Sequence, residues 1–142
     1  MITSALPLVF VVAAIAVLGV TGNLFAFLPF VIAAQVAAVF LNLWARISFQ
    51  RGTFRVTAAP SGAPIITRGP YRFIRHPMYS AAWVFIWAGV ASHLSVLTLA
   101  IGIAVTAVVI ARVIVEERLL RAKYPEYRNY SQSTKSLIPF VL

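Results

Sequence analysis

Polar positions are sparse along this chain and fall in clumps. Ile2 to Val20 runs 19 residues without a charged side chain, and Leu24 to Ala45 runs 22, interrupted only by Gln35 and Asn42. Tyr79 to Val115 runs 37 residues with a single charge, Arg112. A helix that crosses the roughly 30 Å hydrocarbon core of a bilayer needs about 20 mainly apolar residues. The first two runs have that length. The third, as one straight helix, would reach roughly 55 Å at about 1.5 Å per residue. It must fold back, and Ala91-Ser92-His93-Leu94-Ser95 is the polar stretch that marks a hairpin turn. No run alternates with the period of two that a membrane barrel requires. The pattern predicts an all-α integral membrane protein with four transmembrane helices, the last two a helical hairpin. One domain then comprises spans one and two (1–45), a cytoplasmic loop (46–78), the hairpin (79–115) and a cytoplasmic tail (116–142).

Composition agrees with a lipid solvent. Hydrophobic residues make up 61% of the chain and charged residues 11%, with mean hydropathy +0.92. Soluble domains average roughly 45–50% apolar and about 25% charged. Ile2–Val20 lacks a basic flank and exceeds the usual ~7–15 residues of a signal sequence, so it reads as a span. Cysteine is absent, which removes disulfides and thiol nucleophiles. The only acids are Glu116, Glu117 and Glu126. The two histidines, His76 and His93, fall on opposite membrane faces in this topology, so no metal site is expected. Neither a P-loop nor a G-x-G-x-x-G run occurs.

The formal charge of +9 would suit nucleic acid if it were spread over the chain, and it is not. Arg46, Arg51, Arg55, Arg68, Arg72 and Arg75 lie between spans two and three. Arg112, Arg118, Arg121, Lys123, Arg128 and Lys135 lie at or beyond the end of span four. The positive-inside rule then puts both termini, loop and tail in the cytoplasm, and the charge serves orientation and attraction to anionic headgroups. An Ala-, Val- and Arg-rich chain of this kind points to a bacterial cytoplasmic membrane. No nucleic-acid partner is expected.

The loop and tail hold the remaining information. Ala58 to Pro64 is a turn-forming stretch of proline, glycine and small residues. Pro77 suits the first position of span three, with His76 as its cap. The start of that helix, beside Arg72 and Arg75, would attract carboxylates or phosphates. Span four should continue as a helix past Glu116 and Glu117 until Pro125, with Arg112/Glu116 and Glu117/Arg121 at ion-pair spacing. Taken singly, Tyr71, Tyr79, Tyr124, Tyr127 and Tyr130 read as interfacial anchors. Gln35 and Asn42 read as interhelical hydrogen-bonding groups. Trp44, Trp83 and Trp87 read as anchors or packing residues, and His93 as a polar residue of the far turn.

Thr67-Arg68-Gly69-Pro70-Tyr71-Arg72-Phe73-Ile74-Arg75-His76-Pro77-Met78-Tyr79 resembles the G-x-Y-x-x-x-R-H-P-x-Y motif of the isoprenylcysteine carboxyl methyltransferases, whose general form the phospholipid N-methyltransferases share. Glu116-Glu117-Arg118-Leu119-Leu120, then Tyr124, Tyr127 and Tyr130, then Leu137-Ile138-Pro139, resembles the C-terminal signature of the same family. The two blocks stand in the family's order with a hairpin between them. Departures are Ala81, where the family often has glycine, a mostly neutral run from Ser131 to Ser136, and a shortened Tyr124–Tyr127 spacing.

The resemblance implies S-adenosylmethionine as methyl donor and a membrane lipid or lipidated small molecule as acceptor, either a carboxylate or an amine. It places cofactor contacts on Arg75, His76, Tyr79, Glu116 and Glu117, and substrate positioning or catalysis on Arg112; for such a donor Tyr71, with Tyr79, would line the adenosyl group or face the sulfonium. Two other readings remain at this point. A small four-span transporter would need a membrane-buried acid, and spans one to three have none. A non-catalytic subunit of a larger membrane complex would leave the long loop and tail without a role.

Overall fold

A computed structural model describes residues 5–48 and 65–137. Arg51, Arg55, the turn-forming stretch at 58–64, and Ile138 and Pro139 lie outside the described residues. Among the described residues five helices follow in order: α1 (Leu6–Val20), α2 (Pro29–Ile47), α3 (Pro77–Ser92), α4 (Val96–Lys123) and α5 (Tyr127–Ser133), with a 3₁₀ turn at Gly69–Arg72 before α3. Among the described residues the only extended pairing is an isolated parallel bridge between Ile74 and Lys135.

The hairpin forms where the polar stretch predicts it. Ser95 caps α4: its hydroxyl accepts from Thr98 N at 3.2 Å, and Thr98 Oγ1 accepts from Ser95 N at 2.9 Å. Both N–H groups are thereby satisfied at a helix start that would otherwise leave them free. Below the turn, Trp83 and Trp87 both donate to Thr106 Oγ1, at 2.9 and 3.0 Å. The two indoles are therefore packing residues that lock α3 to α4, as one of their sequence readings has it.

Two helices, α2 and α4, are long and apolar enough to cross a membrane. α1 and α3 are shorter, 15 and 16 residues, or roughly 22–24 Å each. The 28 residues of α4 extend roughly 42 Å, so it outruns a hydrocarbon core by several turns. Those extra turns carry Glu116 and Glu117. The burial pattern is that of a protein in an apolar solvent. Phe30, Phe40 and Ile103 are each more than 60% exposed, whereas Gln35, Thr98 and Arg112 are buried. The apolar core is shared by α1, α3 and α4, with Leu18, Ile86, Val90 and Val105 fully enclosed.

α2 packs along α3 and is fastened by Gln35, whose Nε2 donates to Leu24 O at 2.7 Å and to Phe85 O at 3.5 Å. Gln35 thus ties its helix to α3 and to the α1–α2 connection. Asn42 differs from its sequence reading: its Oδ1 accepts from Arg46 Nε at 2.8 Å within the same helix. A four-residue spacing on a helix places such groups side by side. The α1–α2 connection itself presses on Gly89 of α3, where a Cβ would stand 2.7 Å from Leu24 O.

Gly89→Ala is therefore expected to destabilise the protein by about 1–3 kcal/mol, the usual cost of overpacking. Thermal unfolding in detergent reads this directly. An unchanged Tm would contradict the close approach.

Candidate functional site

The site is built at the end of the molecule where α3 begins and α4 projects. Pro77 occupies the first turn of α3 and His76 is its N-cap, as the sequence predicts, although the imidazole makes no capping hydrogen bond. The segment after α5 runs alongside residues 73–76. Lys135 N donates to Phe73 O at 3.0 Å, Arg75 N to Lys135 O at 2.8 Å, and His76 N to Ser136 O at 3.1 Å. Ser80 Oγ donates to Leu137 O one turn further on. The tail is thus stitched over the start of α3 by backbone bonds that no side-chain motif announces.

Arg75 is the hub of this arrangement. Its Nε donates to Glu117 Oε1 at 2.8 Å, and its Nη1 donates to Ser131 O at 3.0 Å and to Thr134 O. Glu117 answers from α4 with both oxygens. Oε1 also accepts from Ser136 Oγ at 3.3 Å, and Oε2 accepts from Arg121 Nη2 at 2.9 Å, the i,i+4 pair expected from the sequence. Burial raises the Glu117 pKa, but the closeness of His76 and the hydrogen bond and charge of Arg75 outweigh it, and the carboxyl is held down at about 2. The loop, α4 and the tail therefore meet in one charge cluster.

His76 stands beside it. Its side chain is buried, its Nε2 lies 3.5 Å from Glu117 Oε1, outside hydrogen-bond geometry, and that nitrogen has no hydrogen-bond partner. The His76 ring stacks on Tyr79, centroids 5.6 Å apart and planes 16° apart. Tyr79 begins a second chain of contacts: its hydroxyl donates to Glu116 Oε2 at 2.8 Å and accepts from Arg112 Nε at 3.2 Å. Arg112 and Glu116, at ion-pair spacing on α4, are both joined to this one phenol. Arg112 is buried, and a guanidinium in that position is tolerable only with such partners.

Six of the seven residues singled out from the sequence thus fall into two adjoining groups: Arg75, His76 and Glu117, then Tyr79, Glu116 and Arg112. Tyr71, the seventh, is buried in the 3₁₀ turn, and its carbonyl accepts from Tyr130 Oη at 2.7 Å. Burial, with Tyr130 and Glu116 nearby, pushes its phenol pKa up. Tyr127 corrects its anchor reading outright: it is 2% exposed, in edge contact with Tyr130, and its hydroxyl has no hydrogen-bond partner. The three-residue spacing of Tyr127 and Tyr130, after a proline, is the one sequence signal that puts both on a single helix face.

The phospholipid methyltransferase family model matches residues 29–127, which is 99 of the 142 residues, and the chain belongs to that family. No curated protein and no solved structure matches the chain. The residues present suit the methyl donor of such a family. Among the described residues two buried polar atoms have no hydrogen-bond partner, His76 Nε2, 3.5 Å from Glu117, and Tyr127 Oη on α5, and a carboxylate- and hydroxyl-bearing ligand is what such atoms can bind.

The low pKa of Glu117 has a consequence for stability. Folding favours the ionised carboxylate, so its contribution is complete above the ordinary value of 4.5 and is lost as pH falls toward about 2. Wild-type Tm should therefore drop across that window, while Glu117→Gln starts lower and follows a flatter profile. Parallel profiles from a pH series in detergent would contradict the cluster.

Proposed function

Starting from membership of the phospholipid methyltransferase family, we propose that this chain is a four-span, S-adenosylmethionine-dependent methyltransferase. Its acceptor is a membrane lipid or a lipidated molecule, carrying a carboxylate or an amine, and it works at the cytoplasmic face. The sidedness rests on the basic residues, which fall in the loop before α3 and at or beyond the end of span four, the segments that also carry the site residues. The observation that carries the reading is His76 Nε2, buried at the start of α3 with no hydrogen-bond partner and only a 3.5 Å ionic contact to Glu117. The bound donor supplies an electrophilic methyl group on a sulfonium.

The chain's own residues then divide the work. Arg75 and Glu117 hold the tail over the site, because most of their hydrogen-bonding capacity is engaged with each other, Arg121 and the tail. His76, with its free nitrogen, binds the donor. Tyr71 lines the adenosyl side. Tyr79, Glu116 and Arg112 face the acceptor, with Arg112 placed to hold an anionic group of the lipid and Tyr79 fixed between guanidinium and carboxylate.

Methyl transfer is an in-line displacement, so alignment and the exclusion of water matter more than acid–base chemistry. The tail, laid across the α3 start, keeps water out. A carboxylate acceptor needs no base, since its charge and that of the sulfonium cancel as the bond forms. An amine acceptor must first lose a proton, and Glu116, which accepts one hydrogen bond from Tyr79, is the group placed to take it.

Calorimetry of S-adenosylhomocysteine with detergent-purified protein tests the reading. Wild type should bind saturably in the micromolar range, and His76→Ala should bind about tenfold or more weakly, on the order of one to two lost hydrogen bonds. A folded wild-type sample that binds nothing would sink the proposal.

A further inference from the structure

Tyr127 is the largest fully buried side chain among the described residues, and it opens a helix of only seven residues. Burial of the ring is ordinary packing against Tyr130, centroids 5.7 Å apart. Burial of the hydroxyl is not, because it has no hydrogen-bond partner, and native structures rarely tolerate that without a reason. Tyr130 shows the ordinary solution three positions on along the same face: its hydroxyl donates to Tyr71 O at 2.7 Å.

The helix that carries Tyr127 is joined to the site, with Arg75 Nη1 donating to Ser131 O at 3.0 Å and Tyr130 Oη to Tyr71 O at 2.7 Å. The electrostatic neighbours of the Tyr127 hydroxyl are Glu117, Arg75, Tyr130 and Glu116. Both Glu117 oxygens are engaged, by Arg75 and Ser136 on one side and by Arg121 on the other, and Arg75 is engaged with Glu117, Ser131 O and Thr134 O. The tail is held by these bonds, and the Tyr127 hydroxyl adds nothing to them. Burial and the Glu117 charge push the phenol pKa up, so the group stays protonated and acts as a donor. A second buried polar atom without a partner, His76 Nε2, borders the same Glu117 from the opposite element.

We propose that Tyr127 is a ligand-binding residue whose hydroxyl donates a hydrogen bond to an acceptor oxygen of the methyl donor, either its carboxylate or a ribose hydroxyl. The proposal rests on the reading given under Proposed function and adds a contact from α5, so that the tail binds the donor as well as covering it. A hydroxyl kept for a ligand has a distinctive signature. Removing it weakens binding and leaves the free protein as stable as before, or more so, because an unsatisfied buried group has gone.

The test measures thermal unfolding without ligand, and calorimetric binding of S-adenosylhomocysteine and of 5′-methylthioadenosine, for wild type, Tyr127→Phe and Tyr130→Phe. For Tyr127→Phe the expected result is an S-adenosylhomocysteine Kd raised about tenfold or more, with Tm unchanged or higher. Tyr130→Phe, which loses an internal bond, should lower Tm and shows the assay can detect a structural hydroxyl. A penalty confined to S-adenosylhomocysteine places the bond on the carboxylate; an equal penalty with methylthioadenosine places it on the ribose. If wild type binds and Tyr127→Phe binds equally well, the inference falls and the proposed function stands. If Tm of Tyr127→Phe drops as for Tyr130→Phe while affinity is unchanged, the hydroxyl is structural and the inference also falls. Absence of binding by folded wild type overturns both.

Discussion

The contact between Arg75 and Glu117 sets the geometry of everything at this end of the protein. One partner precedes α3, the other lies on the projecting turns of α4, and Nε and Oε1 stand 2.8 Å apart with both side chains almost wholly shielded. A charge so placed is unfavourable alone, and a pair becomes acceptable only when hydrogen bonds complete it. Here the completion comes from the tail: two carbonyls for the guanidinium, and Ser136 for the carboxylate. Desolvation thus makes the tail an obligatory part of the cluster. Removing either charge would strand the other and release residues 131–136 from their seat.

The neighbouring glutamates consequently have different roles. Glu117 faces Arg75 and the tail, and both its oxygens are engaged, one by Arg75 and Ser136 and the other by Arg121. Glu116 turns toward Tyr79 and, through that phenol, meets Arg112 at the end of the apolar stretch of α4. Adjacent helix positions differ by about 100° in direction, so a Glu-Glu pair can serve two groups at once. One group lies between the start of α3 and the tail, and the other between α3 and α4.

Much of the helical plan was legible in the sequence, because in lipid the spans need only be long and apolar. The turn at Ser92–Ser95, the Pro77 start with His76 before it, and the run of α4 beyond Val115 all follow from local chemistry. Of the candidate site residues, Tyr71, Arg75, His76, Tyr79, Glu116 and Glu117 were legible as motif positions. Their partition was not. Arg75 and Glu117 are separated by 42 positions, and whether tail carbonyls reach the Arg75 guanidinium depends on how residues 134–137 lie along 73–80. That register is set by backbone bonds, to which side-chain pattern is blind. Asn42 and Tyr127 went astray for a related reason. Each was read from its typical role in membranes, whereas Arg46 one turn away claimed the first and the packing of α5 buried the second.

The central claim is that the start of α3 and the tail form one ligand-binding unit. Hydrogen–deuterium exchange with and without S-adenosylhomocysteine tests it most directly. The account predicts that amides of residues 73–80 and 127–136 slow together, by roughly tenfold or more at saturation, while those of α1 do not change. Slowing confined to one of the two segments, or centred on the far turn at Ser92–Ser95, would contradict it.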